Sequence, residues 1–312
     1  MRLLLVTALL VTTSGCAAFT NDAPDNADQG LEVVAAFYPL QFVAQQVAGD
    51  HADVVDLTKP GSEPHDLELS VAQTAEVLTA DLVVYEKGLQ AAVDAAVGQA
   101  SGVRTIDAGA VAGLEPTSHD GHDNAEDGPS LGEEPSDLGD LDPHFWLDPL
   151  KLARVVDAVA GELAAADPEH ADDFRANAQR LHSELTRLDQ EYADGLRGCA
   201  RDTVVVSHDA FGYLGRYGLH FEPISGLSPD AEPTPADLAR LEQLVDEDGL
   251  TTVFSERLAS PELAQSLADD LGVTTAVLDP IEGLSTETSG EDYLSLMREN
   301  LAALQEANRC PT

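Results

Sequence analysis

Basic residues are scarce in this chain, and their scarcity excludes a large class of partners. The 312 residues include 16 Lys and Arg against 57 Asp and Glu, which gives a formal net charge of −41. Proteins that bind nucleic acid neutralise phosphates with clustered basic side chains, and this sequence has no sizeable basic patch. We therefore expect no nucleic-acid partner. The acidic surface favours solubility and attracts cations, but it does not locate a binding site.

Long hydrophobic runs are also missing, apart from a short one near the N-terminus. Arg2 precedes an apolar stretch over residues 3–11, which is too short to span a bilayer. Small residues follow, so we predict a signal peptide over residues 1–15. Residues 13–16 resemble a bacterial lipobox, with Thr13 where Leu is usual; this implies a diacylglycerol on Cys16, and two acyl chains make a stable anchor. A plain secretory signal with an incidental cysteine is the alternative.

Cysteine is rare as well. Beyond Cys16, the chain has only Cys199 and Cys310. An exported protein lives where disulfides persist, and each of these cysteines flanks the end of a predicted helix. We predict a bond between them that fastens the final helix to the start of the C-terminal half. Two free buried thiols are the alternative.

Short β-rich runs alternate with amphipathic stretches on both sides of a helical centre. Hydrophobic residues make up 43% of the chain, which suffices for a core. We predict strands at 32–37, 52–57, 81–85, 103–106, 203–207, 219–224, 251–255 and 274–278. We predict helices at 40–47, 71–78, 90–97, 210–217, 234–246, 262–271 and 291–308. This alternation favours βαβ units with parallel sheets.

The centre of the chain predicts how the two halves are joined. Residues 150–198 are almost wholly helical, and the charged stretch from Glu169 onward is long enough to reach across two lobes. We therefore predict an α/β fold of two βα lobes joined by a long interlobe α-helix, with a ligand in the cleft. The expected divisions are a tether at 16–30, an N-terminal lobe at 31–149 with an acidic loop at 115–141, interlobe helices at 150–198 and a C-terminal lobe at 199–312.

Four candidate metal ligands lie just past predicted strands or in loops between predicted elements. His65 follows the second strand, His144 precedes the interlobe helices, and His208 and Asp279 each come directly after a strand. Ligands of open α/β sheets bind beyond the carboxyl ends of the strands. Three imidazoles and one carboxylate are a plausible tetrahedral zinc set.

Several segments together resemble the metal-binding substrate-binding proteins of ABC importers, the group that takes up zinc or manganese. They are, in the family's order, residues 38–40 (YPL), 60–66 (PGSEPHD), 142–149 (DPHFWLDP), 207–214 (SHDAFGYL) and 232–235 (EPTP). The resemblance covers residues 31–310. It implies the two-lobed fold, a buried metal held by His65, His144, His208 and Asp279, and a membrane permease as partner. It also implies a monomer at the extracytoplasmic face of the cell membrane, tethered there through acylated Cys16.

The resemblance favours zinc as the transported ligand, because manganese members of the family tend to carry Glu where this chain has His208. A manganese-binding importer component and a metal-dependent surface adhesin of the same fold are the alternatives. We expect no enzyme, since four ligands would close the zinc shell and the sequence has neither a His-Glu-x-x-His helix nor a Gly-x-Ser-x-Gly turn. His119 and His122 resemble a shortened His-rich loop of zinc members, and they are either a weak accessory metal site or part of an inert polar loop.

Overall fold

Two parallel four-stranded sheets form the framework of the computed structural model, which describes residues 30–117, 138–227 and 233–311. The strands in chain order are β1 Leu31–Ala35, β2 Ala52–Asp56, β3 Leu82–Tyr85, β4 Arg104–Asp107, β5 Glu115–Pro116, β6 Leu141–Asp142, β7 Thr203–Val206, β8 His220–Pro223, β9 Thr252–Ser255 and β10 Thr274–Val277. The N-terminal sheet has the order β2-β1-β3-β4, and the C-terminal sheet has the order β10-β9-β7-β8. The short strands β5 and β6 pair antiparallel as a separate ribbon.

Helices connect the strands and cover the sheets. They are α1 Tyr38–Ala48, α2 Val71–Thr79, α3 Ala91–Val97, α4 Ala108–Ala112, α5 Pro149–Ala166, α6 Ala171–Gly195, α7 Pro235–Asp248, α8 Glu262–Leu271 and α9 Tyr293–Asn308. Short 3-10 helices lie at Gly49–His51, Phe145–Leu147 and Gly212–Tyr217. The predicted class, two βα lobes with parallel sheets, is confirmed.

The central strands of both sheets are apolar because they are covered on both faces. In β3 the run Leu-Val-Val is fully buried, and in β7 the three valines that follow Thr203 are buried too. Such continuous apolar runs are typical of parallel strands between helix layers. The polar residues that follow these strands therefore emerge at the carboxyl edge of each sheet.

The interlobe helix of the prediction is α6, which has 25 residues and would measure about 37 Å at about 1.5 Å per residue. Its buried side chains recur every three or four residues, as an amphipathic helix requires; they are Ala171, Phe174, Ala178, Leu181, Leu185, Leu188 and Tyr192. This face packs against α1 of the N-terminal half, against α5, and against the C-terminal α9. The helix therefore contributes to the core of both halves.

Local structure departs from the prediction in a few places. The helix expected at 210–217 is a 3-10 turn over Gly212–Tyr217, and the glycines at 212 and 215 lower its preference for an α-helix. Helix α4 and the β5–β6 ribbon were not predicted.

The predicted disulfide is present between Cys199 and Cys310, 111 positions apart in the chain. It joins the end of α9 to the segment that follows α6. The backbone N–H groups of Ala200 and Arg201 both donate to the carbonyl of Asn308 beside it, at 3.0 and 3.2 Å.

No helix of the described ranges combines the length and the apolar composition that a membrane span needs.

Candidate metal centre

Four side chains from four separate loops meet at one point, and each loop leaves the end of a strand. His65 lies between β2 and α2, His144 follows β6, His208 follows β7, and Glu282 follows β10. Ligand atoms of these four residues all lie within 4.8 Å of one another, and no other such cluster occurs among the described residues. Both halves of the chain contribute two side chains each.

The distances from Glu282 to the three imidazoles fit a tetrahedral ion. The Oε1 atom of Glu282 lies 3.2 Å from Nε2 of His65, 3.3 Å from that of His144 and 3.8 Å from that of His208. A zinc ion with nitrogen and oxygen ligands at about 2.1 Å places neighbouring ligand atoms about 3.4 Å apart. The carboxylate-to-imidazole distances are therefore close to the edges of a zinc tetrahedron.

Two of the imidazole nitrogens in the cluster are buried without a hydrogen bond. His144 and His208 are both fully buried, and their Nε2 atoms lack a hydrogen-bond partner among the described residues. Glu282 is close to both nitrogens, but not in hydrogen-bonding geometry; only His65 makes such a contact with it. A buried polar atom without a partner is costly, and a metal ion bound by the four side chains would satisfy both nitrogens.

A buried carboxylate orients the His144 ring. Oδ1 of Asp142 accepts from the His144 backbone N–H at 2.9 Å and lies 2.8 Å from its Nδ1. The carbonyl of Asp142 accepts from the hydroxyl of Tyr213, which comes from the other half of the chain. Because Nδ1 is committed to Asp142, Nε2 is the nitrogen that faces the site.

The His208 ring is held in the same way by Glu256, which directly follows β9. Its Oε1 lies 2.5 Å from His208 Nδ1 and also accepts from the hydroxyl of Ser207. Glu256 is buried. In both pairs, His144 with Asp142 and His208 with Glu256, a buried carboxylate at Nδ1 leaves Nε2 facing the site.

His65 is the most exposed of the three imidazoles, with 14% of its side chain accessible. The loop before it is fixed by the buried Gln90, whose side-chain amide donates to the carbonyl of Pro64 at 3.0 Å and to Thr58 at 3.2 Å. The carboxylate of Glu63 accepts from the His65 backbone N–H and lies 3.7 Å from its Nε2. The side of the site that faces solvent is therefore lined by a ligand and an acidic neighbour.

The electrostatics of the cluster favour charged side chains in the absence of a cation. Burial lowers the pKa of His144, but the hydrogen bond to Asp142 and the adjacent Glu282 outweigh it and raise this pKa to about 9. Burial likewise lowers the pKa of His208, while Glu256 and Glu282 raise it to about 10. Burial raises the pKa of Glu282, but its three imidazole neighbours hold it well below the ordinary value.

The structure brings together the three predicted histidines, with Glu282 rather than Asp279 as the fourth side chain. Oδ1 of Asp279 accepts from the Ile281 backbone N–H, and Oδ2 faces Arg257, so this carboxylate is directed elsewhere. The sequence could have indicated Glu282, because Asp279 and Glu282 both follow β10 within five residues of its end. The predicted sites at Cys16, His119 and His122 lie outside the described residues.

Comparison with known proteins places these features in one family. Residues 33–307 match the family described as "Zinc-uptake complex component A periplasmic". The chain is 36% identical over 308 residues to the "Zinc-binding lipoprotein AdcA" of Streptococcus pneumoniae, a match that covers 95% of this chain and 60% of that protein. It therefore spans about 60% of that relative's length.

Two further matches cover the other protein almost entirely. The "High-affinity zinc uptake system protein ZnuA" of Bacillus subtilis is 32% identical over 307 residues, covering 96% of this chain and 94% of that protein. The crystal structure of the Zn(II)-bound ZnuA-like domain of AdcA from Streptococcus pneumoniae superposes with a TM-score of 0.71 at 36% identity, covering 89% of this chain and 99% of that one. This chain belongs to the zinc-uptake complex component A family.

Proposed function

We propose that this chain captures Zn²⁺ outside the cytoplasm and delivers it to an ABC-type importer. The observation that carries the proposal is the cluster of His65, His144, His208 and Glu282, whose ligand atoms all lie within 4.8 Å of one another. Similarity to the zinc-binding protein AdcA and the zinc uptake protein ZnuA supports the same ion.

We further propose that the ion is bound and released without chemistry. A catalytic zinc keeps one position open for water or substrate, whereas four protein side chains fill the tetrahedron here. The family description, an uptake component, agrees with a solute-binding protein rather than an enzyme. Zinc is thus the transported substrate, and the permease is the partner that receives it. All four side chains come from one chain, which supports a monomer as the working unit.

Zinc is favoured over manganese by the ligand set. Three imidazoles suit zinc, while manganese prefers oxygen-rich sites with more ligands. The test is competitive titration of the fragment from Gly30 onward, which contains the compact unit from Leu31 to the C-terminus. We expect zinc to bind more tightly than manganese and His208→Glu to shift the preference toward manganese. Equal or tighter binding of manganese by the unmutated fragment would overturn the zinc assignment.

We also propose that Cys16 carries the lipid that holds the protein at the membrane. The cysteine follows Gly15 at the end of the predicted signal peptide, and the AdcA relative is named a lipoprotein. Replacement of Cys16 by Ala should abolish acyl labelling and membrane retention, with Cys199→Ala as a control that keeps both. Unchanged labelling of the Cys16 variant would contradict the anchor.

A further inference from the structure

The loop that carries Glu282 is fastened at several points before it reaches the site. It leaves β10 at Leu278 and reaches α9 at Tyr293, and its first acidic residue is Asp279, which is only 3% exposed. The backbone N–H of Asp279 donates to Oδ1 of Asn300 at 2.9 Å, and its carbonyl accepts from Nδ2 of the same residue at 2.6 Å. Helix α9 thus holds the start of the loop through both backbone groups of Asp279.

The side chain of Asp279 acts on the turn that follows. Its Oδ1 accepts from the backbone N–H of Ile281 at 2.8 Å, which closes a tight turn one residue before Glu282. Ile281 is fully buried and has φ +59°, in the left-handed region that β-branched residues rarely adopt. A strained conformation persists only when its surroundings impose it, and the bond from Ile281 to Asp279 is one such constraint.

The other carboxylate oxygen of Asp279 faces a cation. Oδ2 lies 3.1 Å from Nε of Arg257, close enough for charge attraction although the two atoms are not in hydrogen-bonding geometry. Arg257 also donates to Glu299 of α9 at 2.8 Å. The residue before Arg257 is Glu256, which orients the His208 ring. One short segment after β9 therefore supports both ligands that the C-terminal half provides.

Contacts from the N-terminal half hold the loop at Pro280 and at Leu284, on either side of Glu282. The indole N–H of Trp146, two residues after the ligand His144, donates to the carbonyl of Pro280 at 2.7 Å. The backbone N–H of Gly61, four residues before the ligand His65, donates to the carbonyl of Leu284 at 2.7 Å. The backbone on both sides of Glu282 is thereby fixed to the segments that carry the opposing imidazoles.

From these contacts we propose that Asp279 is the positioning residue of the fourth metal ligand. Its carboxylate fixes the turn at Ile281 and so aims Glu282 at the three imidazoles, without touching the ion itself. This inference rests on the proposed function and names a residue that shapes the zinc site. Groups that hydrogen-bond to the ligands themselves change metal affinity by about 10–100-fold when they are removed, and we expect an effect of the same order from Asp279.

The test compares two matched substitutions, each replacing a carboxylate by its amide, in the full chain purified in detergent. Glu282→Gln removes an anionic ligand and should lower zinc affinity strongly. Asp279→Asn keeps an oxygen that accepts from Ile281, so it should stay within a few-fold of the unmutated chain. Asp279→Ala removes that acceptor and should lower zinc affinity by about 10–100-fold. Asp246→Ala, an exposed carboxylate of α7, controls for the loss of one negative charge.

A double-mutant cycle separates positioning from an independent contribution. If Asp279 acts through Glu282, adding Asp279→Ala to Glu282→Ala should lower the affinity by less than about threefold, because interacting sites are not additive. A full additional loss, or a loss in Asp279→Asn as large as in Glu282→Gln, would overturn the inference and indicate a ligand. Unchanged affinity in Asp279→Ala would overturn it as well. If Asp279→Ala does not fold, the comparison of the two amide variants decides alone.

The same titrations distinguish this inference from the proposed function. Failure of the unmutated chain to bind zinc would overturn the proposed function and this inference together. Zinc binding by the unmutated chain with an unaffected Asp279→Ala variant would overturn the inference alone.

Discussion

At the scale of single residues, buried carboxylates determine the orientation and the protonation of His144 and His208. Asp142 and Glu256 each accept from the Nδ1 side of an imidazole, at 2.8 and 2.5 Å, so that Nε2 remains for the ion. The same carboxylates stabilise a second proton on each ring while no cation is bound. Zinc must therefore compete with protons for His144 and His208.

We predict that zinc binding releases close to two protons at pH 7 and tightens as the pH rises toward about 9 and 10, the pKa values of His144 and His208. Because these pKa values are raised above the ordinary 6.5, the two groups stabilise the metal-free fold fully below about pH 6.5 and lose that contribution as the pH rises through 9 and 10. Calorimetry in buffers of different ionisation enthalpy measures the proton release.

The control for this pH dependence is Glu256→Gln. The amide removes the negative charge beside His208, which lowers the pKa of that imidazole and reduces the number of protons released at pH 7. Asp246→Ala should leave the proton count unchanged, since this exposed residue lies on α7 and not in the cluster. Release of no protons by the unmutated chain would show that the imidazoles are neutral before zinc arrives.

The three histidines were predictable from sequence, and the fourth residue shows where such prediction ends. Strand ends indicated His65 and His208, since polar residues after parallel strands meet at one edge, and the DPHFWLDP motif indicated His144. Asp279 and Glu282 follow the same strand, and either satisfies that rule. The choice depends on the turn at Ile281, whose φ of +59° no side-chain preference of isoleucine would predict. The supporting Glu256 was missed because its role depends on a contact 48 positions away along the chain.

At the scale of elements, the pattern of strands and helices was largely predictable because apolar periodicity fixes it. The structure departs from the predicted elements where tertiary contacts determine the local conformation. The β5–β6 ribbon has only two residues in each strand. Its pairing joins residues that are about 25 positions apart in the chain, such as Pro116 and Leu141, so no local sequence pattern predicts it. The 3-10 segment Gly212–Tyr217 is held by a tertiary contact of Tyr213. The Tyr213 hydroxyl accepts from the Glu115 N–H and donates to the Asp142 carbonyl.

The disulfide gives a prediction at this scale. Cys199–Cys310 closes a loop of 111 positions and ties α9 to the segment after α6. Replacement of both cysteines by Ser should lower the free energy of unfolding by up to about 4–5 kcal/mol in the chain-entropy model. Denaturant titration measures the change, and zinc affinity under native conditions serves as the control that should stay constant. Two free thiols in the unreduced, denatured protein, with Cys16 replaced, would contradict the bond.

The acidic loop gives a second prediction for an element. The ends of the ribbon pair with each other, with Glu115 opposite Asp142 and the Thr117 N–H donating to the Asp140 carbonyl at 2.9 Å. Replacement of residues 118–137 by a short Gly-Ser linker should therefore keep the fold and the tight zinc site. A weaker second equivalent of zinc, if His119 and His122 hold one, should disappear. The double substitution of these histidines by Ala is the matched control, and loss of the tight site would contradict the prediction.

At the scale of the whole molecule, the zinc site is built from residues of both halves of the chain, and α6 also contacts both halves. His65 and His144 belong to segments beside the N-terminal sheet, and His208 and Glu282 follow strands of the C-terminal sheet. A bound ion would thus connect both halves, as α6 does by packing against α1 and α9. Binding to such a site stabilises the folded state as a whole rather than one half of it.

Zinc should therefore raise the unfolding temperature of the entire unit in a single transition. An ion that binds only the folded state contributes about 4.1 kcal/mol when its free concentration is about a thousandfold above Kd. Metal-free protein, prepared with a chelator, should unfold at a lower temperature, and manganese should stabilise it less than zinc does. Differential scanning calorimetry with and without zinc measures the shift, and Glu282→Gln should reduce the shift that zinc produces. Two separate transitions, of which zinc moves only one, would contradict a site built jointly by both halves, because an ion held within one half cannot stabilise the other.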